Sequence, residues 1–342
     1  MWYNTLLKND IVPDFMIRMK IRSLLRERLK EQKELHGDTV ADRIKAFVQE
    51  LSEEPVAVNT EDANEQHYEV PTEFYKYALG PNLKYSCAWY EDGAQTLEEA
   101  ELQMLQITCD RAKLKNGQDV LELGCGWGSL SLFMAAKYPK SNFTVVSNSS
   151  TQKEHIDSKA AERRLTNLHV LTADMNVFDI NKKFNRVVSV EMFEHMRNYK
   201  VLMKKISNWL KDDGKLFVHI FTHKEYAYKY EVKDDTDWMS KYFFTGGIMP
   251  SNDLLFYFDE DMVKEKQWLV NGVNYSKTAE AWLSNTDKYK EHILPIMVDT
   301  YGKENALLWF AYWRIFFMSC SELWKFNNGE EWMISHYLFK KR

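Results

Sequence analysis

A short glycine-rich stretch constrains this chain of 342 residues more than any other feature. Residues 121–128 have the sequence LELGCGWG, which joins the apolar segment 119–123 to the helical segment 130–137. Glycines at a strand-to-helix junction let the backbone approach a ligand and direct N–H groups towards it. The stretch therefore predicts a ligand-binding loop; a tight turn without a ligand is the structural alternative.

The spacing of the loop favours S-adenosylmethionine (SAM) over a dinucleotide. The dinucleotide fingerprint is G-x-G-x-x-G with an acidic residue about 20 positions later. Here the spacing is G-x-G-x-G, and Asn148 follows the next predicted strand. Such a loop suits the amino-acid end of SAM, with Asn148 bonding a ribose hydroxyl and Asp174 accepting from the adenine amino group. A nicotinamide enzyme is the alternative.

Strands and helices alternate from residue 119 onwards. Strand-like segments occur at residues 119–123, 143–147, 168–172, 186–190 and 215–222. Strands separated by helices form βαβ units, so we expect an α/β fold with a parallel, doubly wound sheet. Residues 331–339 alternate between apolar and polar side chains, which predicts a terminal strand at the edge of that sheet.

The chain is predicted to have four parts. Residues 1–65 form an N-terminal helical segment, whose polar end (52–66) is interpreted as a linker. Residues 66–222 form the ligand-binding core with the loop that leads into it. Residues 223–330 form a mostly helical cap that supplies substrate contacts, and residues 331–342 are the terminal strand of the core sheet.

Charge and cysteine content exclude several classes of protein. The 45 Lys and Arg against 50 Asp and Glu give a net charge of −5, whereas nucleic-acid binders carry a basic excess. The four cysteines lack C-x-x-C or zinc-like spacing, which fits a reducing compartment. The first 14 residues carry charges where a signal peptide is apolar, and the longest apolar run (306–318) is too short to span a bilayer.

We therefore expect a cytoplasmic protein without stable membrane insertion or nucleic-acid partner, whose partner is a small molecule. A homodimer is compatible with the sequence. Between residues 18 and 33 lie seven basic and two acidic residues. This basic segment is interpreted as a solvated helix face, with contact to an anionic membrane surface as the alternative.

A second group of reactive residues follows the fourth predicted strand. Glu191, Glu194 and His195 are three and four residues apart, a spacing that predicts one side of a helical turn. They stand at the carboxyl edge of the sheet, where open α/β folds bind ligands. Two carboxylates beside an imidazole offer a proton acceptor with an orienting partner. A metal site, which would need ligands from other helices, and a surface charge cluster are the alternatives.

Several motifs between residues 64 and 342 resemble the plant benzylisoquinoline alkaloid N-methyltransferases, the coclaurine N-methyltransferase-like group within the cyclopropane-fatty-acid-synthase-like methyltransferases. These motifs are QHY (66–68) with PTEF (71–74), LKYSC (83–87), ELGCGWG (122–128), EMFEHMRN (191–198), HIFTHK (219–224), YFFTGG (242–247) and NNGEEW (327–332).

The resemblance implies a Rossmann-like class I SAM-dependent methyltransferase with N-terminal helices and a helical substrate-binding cap. It implies SAM as methyl donor, S-adenosylhomocysteine as product and no metal. The implied SAM site consists of Tyr85, Ser86, Gly124, Gly126, Asn148, Gln152, Asp174 and Met175. The implied catalytic residues are Glu191, Glu194 and His195. The implied aromatic substrate wall consists of Tyr68, Phe221, Phe244, Tyr312, Trp313 and Phe316.

One departure separates two activities within this group. Cyclopropane synthases look similar but carry Gly where this chain has Glu191. They share the Glu194–His195 pair, the Cys87 motif and a histidine like His219, which there help to hold bicarbonate. Glu191 therefore favours an amine substrate over a lipid alkene. A phosphobase N-methyltransferase and a catalytically silent binding module are the further alternatives.

The expected reaction is transfer of a methyl group from SAM to the amine nitrogen of a plant alkaloid or aralkylamine. The substrate is expected to be of the benzylisoquinoline, tetrahydroisoquinoline or phenylalkylamine type. The Glu/His cluster would accept the amine proton.

Overall fold

The computed structural model describes residues 4–9, 11–34, 39–58, 70–232 and 237–342. The helices of these ranges are, in chain order, α1 (Asn4–Lys8), α2 (Asp14–Glu34), α3 (Val40–Glu53), α4 (Thr72–Ala78), α5 (Leu97–Arg111), α6 (Ser129–Lys137), α7 (Ser150–Glu162), α8 (Tyr199–Trp209), α9 (Trp238–Tyr242), α10 (Val273–Lys288), α11 (Lys290–Tyr301) and α12 (Ala306–Trp324). Short 3-10 helices lie at Phe193–His195, Leu254–Tyr257 and Phe326–Gly329.

The strands are β1 (Asp119–Leu123), β2 (Asn142–Ser147), β3 (Leu168–Thr172), β4 (Phe184–Val190), β5 (Leu210–His223), β6 (Tyr228–Lys229), β7 (Ile248–Met249), β8 (Met262–Val270) and β9 (Trp332–Lys341). Seven of them form one sheet in the order β3-β2-β1-β4-β5-β9-β8. The five strands from β3 to β5 are parallel, while β9 runs antiparallel between β5 and β8. The predicted α/β fold with a doubly wound parallel sheet is confirmed.

The prediction that residues 331–339 form an edge strand is wrong. β8 comes from the middle of the predicted cap and pairs with the outer side of β9. Eight consecutive residues of β9, from Trp332 onwards, are buried. The apolar and polar alternation therefore reflects polar side chains, such as Ser335 and His336, that find partners inside the protein rather than solvent.

Two helical layers cover the sheet. On one face the apolar sides of α3 and α8 pack against β1, β4 and β5, with Ile44, Leu202 and Ile206 buried there. On the other face, α5, α6 and α7 bury Leu105, Leu130 and Ile156. Because both faces are covered, the parallel strands are mainly apolar on both sides, as Val120, Leu121 and Leu123 show; Glu122 among them is a buried polar exception.

The cap is a separate apolar cluster formed by α4, α10, α11 and α12 beside the sheet. Helix α2 packs on this cluster through Ile21. Its basic side chains pair with the cap: Arg18 donates to Glu280 at 2.6 Å and to Glu322 at 3.1 Å. Arg18 and Arg22 thus pair with the cap, whereas Lys20, Arg26, Lys30 and Lys33 of the same segment are exposed, so the segment is only partly a solvated face. No helix within the described ranges is long and apolar enough to cross a membrane.

Part of the predicted linker is packed against the core. Asn198 Nδ2 donates to the carbonyl oxygens of Ser52 and Glu54 at 2.9 and 2.8 Å. Asn176 Oδ1 accepts from the N–H of Ala57 at 2.9 Å. These side-chain bonds satisfy backbone groups at the C-terminal end of α3 and in the segment that follows it, which composition alone does not reveal.

Candidate active site

One cavity opens at the carboxyl ends of β1 and β4, the point where the strand order reverses. Open α/β sheets bind ligands at this position because the flanking loops diverge to opposite sides of the sheet. The loop after β1 and the segment after β4 line one half of the cavity, and residues of the cap line the other half.

The glycine loop has the geometry of a ligand cradle. Gly124 has φ 77°, and a Cβ there would lie 2.6 Å from Cβ of Met192. Gly126 has φ 50° and nothing within 4 Å of the position of a Cβ, so its open side belongs to the cavity. Side chains at either position would be strained by the positive φ. The loop thus leaves free space beside exposed backbone.

All eight residues predicted for the SAM site line this cavity: Tyr85, Ser86, Gly124, Gly126, Asn148, Gln152, Asp174 and Met175. Two further observations fit a polar ligand. The Nε2 atom of buried Gln152 and the Oγ atom of Ser129, at the start of α6, have no hydrogen-bond partner among the described residues. A ligand with acceptor groups would satisfy such buried donors. The residues present therefore fit SAM.

Glu191 lies between the two halves of the cavity and is held by three donors. Its Oε1 accepts from the N–H of Cys87 and from Nε2 of His219, both at 3.2 Å. Its Oε2 accepts from the hydroxyl of Tyr275 at 2.6 Å. The Glu191 main chain is left-handed, with φ 47°, and its N–H donates to the carbonyl of His219 at 2.8 Å. These contacts direct the carboxylate to a single position.

The predicted helical turn is only partly present. Glu194 and His195 lie in a 3-10 turn, Phe193–His195, whereas Glu191 precedes it in the left-handed conformation. The three residues nevertheless line the same cavity. The main-chain bond to His219 turns Glu191 away from the helical path, so it reaches the cavity from a different direction than the i, i+3 spacing predicts.

The two carboxyl groups have different environments. Burial raises the pKa of Glu191 to about 7, against the opposing effects of the nearby Lys84 ammonium and the donors Tyr275 and Cys87. Burial and the charge of Glu191 raise the pKa of Glu194 well above its ordinary value. Lys84 and the surrounding donors thus favour the ionised form of Glu191, whereas the charge of Glu191 disfavours ionisation of Glu194. The Oε2 atom of Glu194 has no hydrogen-bond partner in the part of the chain that the structure describes.

Lys84 supplies a buried positive charge near Glu191. Its Nζ donates to the carbonyl of Cys87 at 2.6 Å and to Ser86 Oγ, which fixes the loop that carries Tyr85. Burial lowers the pKa of Lys84, and the charge of Glu191 raises it. The ammonium and the carboxylate thus stabilise each other's charged forms.

The predicted aromatic wall is present, but two of the residues predicted for it, which lie nearer the start of α12, do not belong to it. Phe221, Phe244 and Phe316 line the cavity, and the Phe244 ring lies 4.9 Å from the His195 ring. Tyr312 and Trp313 do not line the cavity. Trp313 is fully buried and packs on Phe74, and Tyr312 packs on Trp238. The two share the helical spacing of Phe316, but only the C-terminal half of α12 reaches the cavity. Tyr68 lies outside the described residues.

Sequence reasoning missed several residues that complete the wall: Tyr230, Met239, Met249, Tyr275, Leu323 and Trp324. The ring of Tyr275 stacks on Trp324 at 4.9 Å while its hydroxyl binds Glu191. No short motif surrounds Tyr275, and its segment reads as an ordinary amphipathic helix, so no sequence signal identifies it. The described residues contain no group of three or more His, Cys, Asp or Glu side chains arranged for a metal ion.

Comparisons with known proteins agree with this geometry. The family model described as mycolic acid cyclopropane synthetase matches residues 57–329. The (S)-coclaurine N-methyltransferase of Thalictrum flavum subsp. glaucum is 40% identical over 98% of this chain and 94% of its own length. A crystal structure of coclaurine N-methyltransferase bound to N-methylheliamine and S-adenosylhomocysteine superposes with a TM-score of 0.94, at 38% identity, over 99% of this chain and 98% of that one.

The cyclopropane synthase alternative is more distant. The cyclopropane-fatty-acyl-phospholipid synthase of Escherichia coli (strain K12) is 32% identical over 64% of this chain and 54% of its own length. The similarity to coclaurine N-methyltransferase extends over nearly the whole chain, the N-terminal helices and the cap included. The chain therefore belongs to the mycolic acid cyclopropane synthetase family and, within it, to the SAM-dependent plant alkaloid N-methyltransferases related to coclaurine N-methyltransferase.

Proposed function

We propose that this enzyme transfers the methyl group of SAM to the nitrogen of an aralkylamine of the benzylisoquinoline, tetrahydroisoquinoline or phenylalkylamine type. One observation carries the proposal: a buried carboxylate, Glu191, lies between a SAM-type glycine loop and an aromatic wall within a single cavity. When bound, SAM supplies a methyl group on a positively charged sulfur. The residues of this chain must bring a neutral amine to it.

The site must both deprotonate the substrate amine and hold it in position, and the free energies of these two steps can be compared. An alkylamine has a pKa near that of Lys, ~10.4, so only about one molecule in 2,500 is neutral at pH 7. Forming the neutral amine thus costs roughly 5 kcal/mol at pH 7. Holding it in line with the methyl group is worth about 7–11 kcal/mol of the barrier. Positioning therefore contributes more than deprotonation, but both are required.

The polar residues divide these tasks. Ionised Glu191 attracts the ammonium form of the substrate into the buried site, where a charge–charge attraction is stronger than in water. Burial and the charge of Glu191 raise the pKa of Glu194, which favours its protonated form as a hydrogen-bond donor. His195 faces the same cavity beside Phe244 and is positioned to accept the amine proton. In this division Glu191 supplies the negative charge, and Glu194 in its protonated form supplies a donor.

The apolar residues set the class of substrate. Phe221, Phe244 and Phe316 give aromatic surface on which substrate rings can pack, and aromatic faces also attract a cationic nitrogen. Met239 and Met249 add flexible apolar surface that adapts to different ring systems. A wall of this composition suits fused or substituted rings and is poorly suited to the phosphate of a phosphobase.

The carboxylate also distinguishes amine from alkene chemistry. Cys87 and His219, whose counterparts in the similar cyclopropane synthases help to hold bicarbonate, donate here to the side chain of Glu191. The protein's own carboxylate therefore takes up the donors that a separate anion would need. This supports methylation of an amine, with carbon chemistry on a lipid alkene as the outcome that the test must exclude.

Mass spectrometry of the purified enzyme tests the proposal. The protein is incubated with SAM and either a panel of aralkylamines or an unsaturated phospholipid in vesicles. An amine product that is heavier by one CH₂, with the lipid unchanged, is the expected result. A lipid product without methylated amine would show the cyclopropane synthase activity, and methylated phosphoethanolamine alone would show the phosphobase activity. Glu191→Gln serves as the site control.

The proposal includes a cytoplasmic location, which the free thiols Cys87, Cys109, Cys125 and Cys320 support. A homodimer is compatible with the same proposal. Fractionation of plant tissue and light scattering of the purified protein measure these two properties.

A further inference from the structure

A chain of hydrogen bonds links a half-buried arginine, Arg111, to the carboxylate of Glu191. Arg111 Nη1 lies 2.7 Å from Nδ1 of His336, and Nε2 of His336 lies 2.8 Å from Nδ1 of His219. Nε2 of His219 lies 3.2 Å from Oε1 of Glu191. Both histidine side chains are fully buried, and they are direct partners across the β5–β9 pair. The sheet register therefore builds the chain.

The direction of every bond in this chain follows from Arg111. A guanidinium only donates, so Nδ1 of His336 must accept and carry no proton. His336 then bears its proton on Nε2 and donates it to Nδ1 of His219. His219 in turn must carry its proton on Nε2, which donates to Glu191. Burial also lowers the pKa of both histidines well below its ordinary value, in agreement with the neutral forms.

Arg111 is itself held in place at the end of α5. Its guanidinium lies 5.3 Å from the Trp89 ring and 5.2 Å from the Trp268 ring. Trp268 is the partner of His336 on the other side, across the β8–β9 pair. An arginine stacked between two indoles is restricted in position and orientation. It can therefore act as a fixed donor to His336.

We propose that Arg111 is a positioning residue, which fixes the tautomers of His336 and His219 so that His219 always presents an N–H to Glu191. Without Arg111 the chain can reverse, with a proton on Nδ1 of each histidine and a lone pair of His219 facing the carboxylate. A lone pair there favours protonated Glu191, which no longer attracts an ammonium group. This inference rests on the proposed function for its effect on catalysis, but the tautomers themselves do not depend on it.

The test combines four proteins: wild type, Arg111→Met, Arg111→Lys and Arg186→Met. Arg186 is the matched control, because it is a buried arginine whose side chain also reaches the end of α5, where it donates to the carbonyl of Ala112, and its hydrogen bonds do not involve the histidines. Long-range ¹H–¹⁵N NMR on protein labelled at histidine reads the tautomers directly. Steady-state kinetics with SAM and an amine measures kcat, and calorimetry measures the affinity for SAM.

In wild type and Arg186→Met, His219 and His336 should both be protonated at Nε2. Arg111→Met should give Nδ1-protonated signal at His219 and lower kcat on the order of tenfold, the effect of one pKa unit at Glu191, with unchanged SAM affinity. Arg111→Lys, which still donates, should restore both. Unchanged tautomers in folded Arg111→Met, or an Nδ1-protonated His219 in wild type, would overturn the inference. Failure of wild type to methylate any amine would instead overturn the proposed function.

Discussion

The hydroxyl of Tyr275 donates to Oε2 of Glu191 at 2.6 Å, although 84 residues separate the two in the chain. Tyr275 belongs to α10 in the cap, and Glu191 follows β4 in the core. The bond therefore joins the element that contacts the substrate to the one that carries the charge. Stacking of the same ring on Trp324 makes the position of the carboxylate depend on the packing of the substrate wall.

Removing this hydroxyl should shift the acidic limb of the pH–rate profile. Tyr275 stabilises ionised Glu191, so Tyr275→Phe should raise the pKa of the carboxyl above its present value of about 7. A hydrogen bond to a charged group is worth about 1.5–3 kcal/mol, so the limb should move to higher pH by roughly one to two units. Measurement of kcat against pH checks this. Tyr257→Phe, at an exposed site outside the cavity, should leave the limb in place; an unmoved limb in Tyr275→Phe would contradict the assigned bond.

Gly126→Val should abolish SAM binding without unfolding the protein. The position combines φ 50° with open space on its cavity side, so the new side chain would stand where the ligand approaches the loop. Gly117→Val is a matched control, because Gly117 also has a positive φ of 89° and free space, but does not line the cavity. Calorimetric titration with SAM compares the two. Equal affinities in both folded variants would remove the glycine loop from the site.

Phe244→Ala and Trp313→Ala should have different effects. Phe244 lines the cavity beside His195, so its loss should raise KM for bulky benzylisoquinolines more than for compact phenylalkylamines. Trp313 lies behind the wall, where truncation creates a cavity that costs about 3–5 kcal/mol of stability. Thermal melts and KM values for two substrate sizes separate the cases. A purely size-dependent KM effect without loss of stability in Trp313→Ala would show that Trp313 contacts the substrate.

Glu122 should make stability fall as the pH rises. Burial raises its pKa from 4.5 to about 8, and its Oε2 accepts from the Ser131 hydroxyl at 2.5 Å. The folded state thus binds this proton more tightly than the unfolded state, so the free energy of unfolding decreases through the range between those two values. The slope from this group is at most about 1.4 kcal/mol per pH unit. In urea titrations Glu122→Gln should lack this contribution, and equal slopes in both proteins between pH 5.5 and 8 would contradict it.

The sequence predicted the parallel part of the fold closely, because each of those strands contains a short apolar run and, except between β3 and β4, a helix with a distinct pattern separates it from the next strand. It did not predict that β8 lies outside β9. Residues 262–270 mix lysines with apolar residues, as expected of an edge strand, but nothing local indicates which strand they pair with. The pairing is a contact between distant segments, which local patterns do not encode.

The candidate site was predictable where motifs mark it and not where long-range contacts build it. The glycine loop and the Glu191–His195 segment are contiguous, so their residues reach the cavity together. Other contacts join residues from separate elements and form only in the folded sheet and cap. Tyr275 binds Glu191, Arg111 binds His336, and His336 binds His219. Trp313, by contrast, was predicted for the substrate wall but does not line the cavity. Helical spacing indicates which residues share a face of the helix, but not how far along the helix the cavity extends.

The pH dependence of two variants tests most directly the claim that Glu191 and His195 manage the amine proton. Glu191→Gln and His195→Ala should lower turnover at pH 7 with little change in SAM affinity. Since the amine pKa is ~10.4, bulk solvent supplies more neutral substrate as the pH rises. The deficit relative to wild type should therefore shrink between about pH 7 and 9.5. For an aniline-type amine, which is already neutral at pH 7, the deficit should be small both at pH 7 and at pH 9.5. A deficit that stays constant with pH, and is equal for both amines, would contradict the account and leave the cluster only a role in positioning the substrate.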